Sequence, residues 1–213
     1  AAARAVACTA GSDDMRNDLD RSIAKMTDAQ VFESEVYMEG GGIETNGMGL
    51  MIANEALVMQ RNPGRSREEL ERAQLALPGI RKVIWLPEGL AEDPLLRGTI
   101  VGNYVGWGTG GHTDEFVRFA DARTVLLAWP EEAEAAAHPV ARLNRQRMQR
   151  NADILSKATD AQGRPLRLLK VPMPRIIRTP RKNRGPGQPQ QGPVRKRNLR
   201  SELLDLAHGQ GQP

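Results

Sequence analysis

Three short stretches of this 213-residue chain hold residue types that do chemistry together. Glu39-Gly40-Gly41-Gly42 follows the apolar run Val31–Met38. A carboxylate at a strand end, followed by glycines, puts an acid where backbone can approach a ligand closely. A plain glycine turn after a strand has the same composition. The second stretch is Gly110-Gly111-His112-Thr113-Asp114-Glu115. On an extended segment residues i and i+2 point to one side. His112 and Asp114 would then set an imidazole acid/base beside a carboxylate that grips a cation. The alternative is a strand start with surface polar residues. The third stretch, Arg61-Asn62-Pro63-Gly64, reads most simply as a turn.

The elements that must position these residues follow a repeated order. Ile43–Thr45 and Leu50–Ala53 are short strands about Asn46-Gly47, a strong hairpin signal. Ala56–Gln60 is expected to continue in extended form. Ser66-Arg67-Glu68-Glu69 is a capping box that opens a helix through Leu70, Ala73 and Leu77, ending at Pro78-Gly79. Lys82–Leu86 (KVIWL) follows as a buried strand. The same order returns downstream. Glu115–Ala120 alternates, with Phe116 opposed to Val117, and Asp121-Ala122-Arg123 turns. Thr124–Trp129 (TVLLAW) is apolar almost throughout, which predicts burial on both faces. Residues 131–158 are helical with a break at Pro139 near His138, and Leu166–Val171 is the next strand. Ahead of both units, Met15–Met26 and Gln30–Met38 read as the helix and last strand of a third. A recurring unit of this size marks a repeat architecture.

Composition bounds what the chain can be. No apolar run approaches the roughly 18–20 residues of a membrane helix. The single cysteine, Cys8, and three scattered histidines exclude a disulfide framework and a thiolate zinc cluster. Neither a cofactor nor a metal is expected, and the chain reads as cytoplasmic. Residues 1–138 carry 13 Lys and Arg against 22 Asp and Glu, a net −9, while residues 139–213 carry 17 against 4, a net +13. The sequence thus predicts an acidic body with a basic tail. Val171–Pro193 holds six prolines, and its low hydrophobicity leaves too little apolar area to offset the entropy of ordering. Residues 1–12 are expected to be a poorly ordered start, and 178–213 a mostly disordered tail with a short helix over 198–207. Arg181-Lys182 and Arg195-Lys196-Arg197 would bind polyanions only through phosphates. No aromatic follows Trp129, so specific nucleic-acid recognition is not expected.

In order, the motifs are an apolar strand with Glu39-Gly40-Gly41, Arg61-Asn62-Pro63, the capped helix, Lys82–Pro87 (KVIWLP), Gly111–Phe119 (GHTDEFVRF) and Val125–Trp129 (VLLAW). Over residues 13–171 this series resembles the agmatine deiminase and bacterial peptidyl-arginine deiminase family of the guanidine-modifying pentein superfamily. The resemblance implies an α/β fold: a ring of five strand-strand-helix-strand units about a pseudo-fivefold axis. Residues 13–177 would form a partial pentein domain of about three units, whose open edges would favour self-association.

The resemblance also implies a reaction. A cysteine thiolate attacks the guanidinium carbon of agmatine or a peptidyl arginine. Ammonia leaves with a proton from histidine, and water hydrolyses the thiouronium to a ureido product. His112 would be the general acid/base, Glu39 the acid that orients it, and Asp114 the carboxylate that holds the substrate guanidinium. Two departures stand out. Residues 1–38 do not match the family's Arg-Asp-x-Gly-Pro segment, and no cysteine follows Cys8. Cys8 has no matching context as a nucleophile, so turnover by this chain alone is not expected. The stretch Val101–Gly110 with Trp107 is an addition to the family pattern, read either as a substrate lid or as a mobile glycine loop.

Overall fold

A computed structural model describes residues 5–9 and 15–176, with side chains for Leu19 and for residues 21–176. The tail at 178–213, its 198–207 helix and most of the 1–12 start lie outside the described residues, as does the Cys8 side chain.

β1 (Ala5–Thr9) and β2 (Gln30–Ser34) pair in parallel, joined by α1 (Met15–Thr27). The strand expected over Gln30–Met38 stops early for a local reason. The Ser34 hydroxyl accepts from Val36 N at 3.1 Å, and the backbone of Tyr37 turns to the Asn62 side chain instead of a strand partner.

The next unit contains β3 (Ile43–Thr45), β4 (Leu50–Asn54), α2 (Glu55–Arg61), α3 (Arg67–Leu75) and β5 (Lys82–Leu86). β4 lies between antiparallel β3 and parallel β5. Asn46 Oδ1 closes the hairpin by accepting from Met48 N and Leu50 N, and Gly47 adopts φ 67°. The capping box forms in both directions, with Ser66 Oγ accepting from Glu69 N and Ser66 N donating to Glu69. The extended reading of Ala56–Gln60 is corrected. These residues are helical because Asn54 caps them, its Oδ1 accepting from Leu57 N.

A hairpin of β6 (Gly98–Val101) and β7 (Tyr104–Gly106) follows, so much of the added stretch is a small antiparallel sheet. Trp107 comes next and is 76% exposed. The last unit repeats the earlier plan with β8 (Val117–Phe119), β9 (Thr124–Trp129), α4 (Glu132–Ala137), α5 (Pro139–Lys157) and β10 (Arg167–Pro172). β9 is again central, antiparallel to β8 and parallel to β10. The helix breaks at His138, where the side chain caps α5 and Pro139 opens it. Phe116 and Val117 are both buried rather than opposed, because Phe116 ends a 3-10 turn and regular alternation starts only after it.

The core explains the apolar strands. On β4, Leu50 and Ile52 face one buried cluster with Leu86, Leu127, Met148 and Leu155. Met51 and Ala53 face another with Val58, Leu70 and Trp85. Successive side chains of one strand therefore serve opposite sides of the sheet. Each large buried side chain contributes roughly 1.5–3 kcal/mol. Among the described residues, no helix is long and apolar enough to cross a membrane.

Candidate active site

Glu39 stands at the entrance to a 3-10 turn over Gly40–Gly42, and His112 at the entrance to a second over Thr113–Glu115. The two turns pack together, and Thr113 Oγ1 donates to Gly41 O at 2.9 Å. This close approach requires glycine at position 41. A Cβ there would lie 2.1 Å from His112 Nδ1.

The contact brings together side chains 73 residues apart. His112 Nε2 lies 2.8 Å from Glu39 Oε2. Arg61 holds the same carboxylate, with Nε donating to Oε1 at 2.8 Å and Nη2 to Oε2 at 3.0 Å. Nη2 also donates to Thr109 O at 2.8 Å, which ties the histidine loop to the acid. The Glu39 and His112 side chains are only 25% and 19% exposed. Burial pushes the Glu39 carboxyl up, but the Arg61 and His112 contacts outweigh it and hold the carboxyl below its ordinary value. An ionised carboxylate only accepts hydrogen bonds, so Nε2 carries its hydrogen toward Glu39. Nδ1 is left as the nitrogen able to exchange a proton.

Asp114 lies on that side of the ring. Its Oδ1 is 3.8 Å from His112 Nδ1, and its side chain is 44% exposed. The expected i, i+2 extended geometry is corrected, since Thr113–Glu115 coils as a 3-10 turn. Asp114 nevertheless remains beside His112 through the tightness of that turn. Glu44 lies close enough for its own ionisation to be opposed by the Asp114 charge. Burial pushes the Glu44 carboxyl up, while the Phe119 N–H and Arg118 work against this.

Two site residues escaped the sequence reading. Arg61 reads in the sequence as the start of a turn and as part of a family motif, with nothing local to mark Glu39 as its partner. Asp93 was not singled out at all. It is 2% exposed and gathers backbone N–H groups of the histidine loop. Among the described residues, no group of three His, Cys, Asp or Glu could hold a metal ion.

A model of the Porphyromonas-type peptidyl-arginine deiminases matches residues 10–194. The chain belongs to that family. An agmatine deiminase of Stutzerimonas stutzeri is 32% identical over 161 residues, covering 74% of this chain and 38% of that protein. One of Pseudomonas fluorescens is 30% identical over 148 residues, covering 68% of this chain and 34% of that one. A solved agmatine deiminase of Enterococcus faecalis superimposes with a TM-score of 0.60 at 22% identity, covering 84% of this chain and 47% of the other. This deiminase-family chain therefore has the mixed α/β fold of that structure and spans less than half the length of these relatives.

Proposed function

We propose that this chain carries the histidine half of a guanidine deiminase site, acting on agmatine or an arginine-like guanidinium. The observation that carries the reading is the meeting of Glu39 and His112 at 2.8 Å, with the Asp114 carboxylate on the opposite nitrogen of the ring. A planar cation on Asp114 would lie within reach of Nδ1, and carboxylates suit a guanidinium through paired, charge-assisted hydrogen bonds.

The proposed roles combine the family reaction with this geometry. Asp114 holds the guanidinium, and Glu39 accepts from Nε2 and stabilises the imidazolium. His112 Nδ1 delivers a proton to the departing amine nitrogen. In the family reaction a cysteine thiolate attacks the guanidinium carbon and forms a carbon–sulfur bond. The carbon–nitrogen bond breaks as ammonia leaves with that proton, and water then releases the ureido product and the thiol. The chain's single cysteine, Cys8, lies in β1. Its sequence context does not match that of the family's nucleophile, so binding without turnover is the expected behaviour of this chain alone. The five-unit ring, with these residues around one mouth, is part of the same proposal, supported by the twice-repeated sheet order.

Calorimetric titration with agmatine tests the reading. Saturable binding should weaken about tenfold or more in Asp114→Ala, corresponding to loss of a charge-assisted contact. Equal affinity of the variant, or no binding by the wild-type chain, would overturn it. Repeating the titration with a blocked arginine peptide separates the two substrate classes.

A further inference from the structure

The loop that carries His112 is soft by composition, since Gly110 and Gly111 lie at φ 101° and 95°. Glycines surrender more conformational freedom on ordering than other residues, so an external template must hold this loop. Asp93 is in that position. Its Oδ1 accepts from Thr109 N, and its Oδ2 accepts from Thr109 Oγ1 at 2.6 Å, Gly111 N at 2.9 Å and His112 N at 3.0 Å. Convergent backbone N–H groups form a concavity that binds anions. Here the anion is the chain's own carboxylate, almost fully buried.

The carboxylate is itself fixed from behind. Asp93 N donates to Leu90 O at 3.2 Å. Asn144 on α5 accepts from Ala91 N at 2.8 Å and donates to Glu92 Oε2 at 2.6 Å. The long helix of the last unit thus sets the height of residues 91–93, and Asp93 transmits that position to the histidine loop. On the far side, Asn54 Nδ2 donates to Gly111 O and Arg61 to Thr109 O. Asp93 supplies the acceptors and the other two the donors.

We infer that Asp93 is a positioning residue of the site, a buried carboxylate whose hydrogen bonds to residues 109–112 fix the His112 backbone so that Nε2 meets Glu39 and Nδ1 faces Asp114. The inference uses the deiminase reading only for the purpose of that orientation. Its geometry is independent of any reaction.

The experiment compares the full chain with Asp93→Asn and Asp160→Asn by NMR. Asp160 is an equally buried loop acid, 1% exposed, that caps residues 162–164 away from the site. It therefore controls for general loss of stability. Asp93→Asn should speed amide exchange at Thr109, Gly111 and His112 by about tenfold, as expected for one hydrogen bond of ordinary net worth. It should also replace the single Nε2–H tautomer of His112, read from the ring nitrogen shifts, with a mixture. Asp160→Asn should do neither. Thr109→Val, which removes only the hydroxyl donor, covers the case of an unfolded Asp93→Asn and should move the His112 ring signals in the same direction by less. Faster exchange with an unchanged His112 tautomer in these variants would make Asp93 a structural cap and overturn the inference. Failure of agmatine to bind any of the chains would instead sink the deiminase reading, leaving the positioning result intact.

Discussion

Arg61 and His112 share one oxygen of Glu39, with Nη2 at 3.0 Å and Nε2 at 2.8 Å from Oε2. The arginine keeps the carboxylate ionised and turned toward the ring, and its contact to Thr109 O links the acid to the loop bearing the histidine. Substituting Arg61 with Lys keeps the charge and loses the bidentate fork. We expect Arg61→Ala to lower the unfolding free energy by about 1–3 kcal/mol, the range for stranding a partly buried polar group. Arg61→Lys should recover less than half of that. Urea denaturation decides it, and a change below about 0.5 kcal/mol for Arg61→Ala would show the pair to be an ordinary surface bridge.

The Glu39 carboxyl sits below its ordinary value of 4.5 despite burial, because of Arg61 and His112. Its contribution to stability is therefore present above the unfolded value and lost as pH falls through the lower folded one. The stability difference between wild type and Glu39→Gln should be level above about pH 5 and shrink below it. Glu44 has the opposite sign. Burial raises its carboxyl, so its contribution is greatest at low pH and fades as pH rises through the folded value. Denaturation series from pH 3 to 7 on Glu39→Gln and Glu44→Gln would read the two slopes, and parallel slopes would contradict the assignment.

Gly40 and Gly41 are adjacent yet should respond very differently to alanine. A Cβ at Gly40 meets nothing within 4 Å, whereas one at Gly41 lies 2.1 Å from His112 Nδ1. Gly40→Ala should leave stability within about 0.5 kcal/mol of wild type, as a change in open space does. Gly41→Ala should displace the imidazole, costing about 1–3 kcal/mol as overpacking does, and abolish agmatine binding. Two variants with the same Tm and affinity would refute the close approach.

What the sequence made legible was local. Lys82–Leu86 and Thr124–Trp129 are strands with the expected bounds because their apolar runs are buried, the first shared between two clusters and the second packed into one. The capping box at Ser66 forms because both of its bonds lie within four residues. The failures came where a distant or neighbouring side chain decides. Ala56–Gln60 is expected to be extended, but Ala, Leu, Met and Gln favour helix and Asn54 caps it into one. Asp114 keeps its place beside His112 through a 3-10 turn that the i, i+2 rule does not describe. Arg61 and Asp93 act across 22 and 16 to 19 residues, and no local pattern marks them. Glu39 and His112 were grouped by the order of the family's motifs, not by any spacing that predicts a 2.8 Å contact.

Asn54 connects the unexpected helix to the histidine loop, and its two roles can be separated. Its Oδ1 accepts from Leu57 N at the start of α2, and its Nδ2 donates to Gly111 O, with the side chain fully buried. Asn54→Ala removes both bonds. The lost cap costs about 1 kcal/mol, and a buried carbonyl without a donor adds about 1–3 kcal/mol. Asn54→Asp keeps the cap acceptor but replaces the donor with an oxygen facing the Gly111 carbonyl. Helix α2 should persist in Asn54→Asp, judged by slow amide exchange at Leu57 and Val58. The Gly111–His112 amides should lose protection, and agmatine binding should weaken as much as in Asn54→Ala. If Asn54→Asp bound agmatine like wild type, the Gly111 bond would be irrelevant to the site and Asn54 would be only a helix cap.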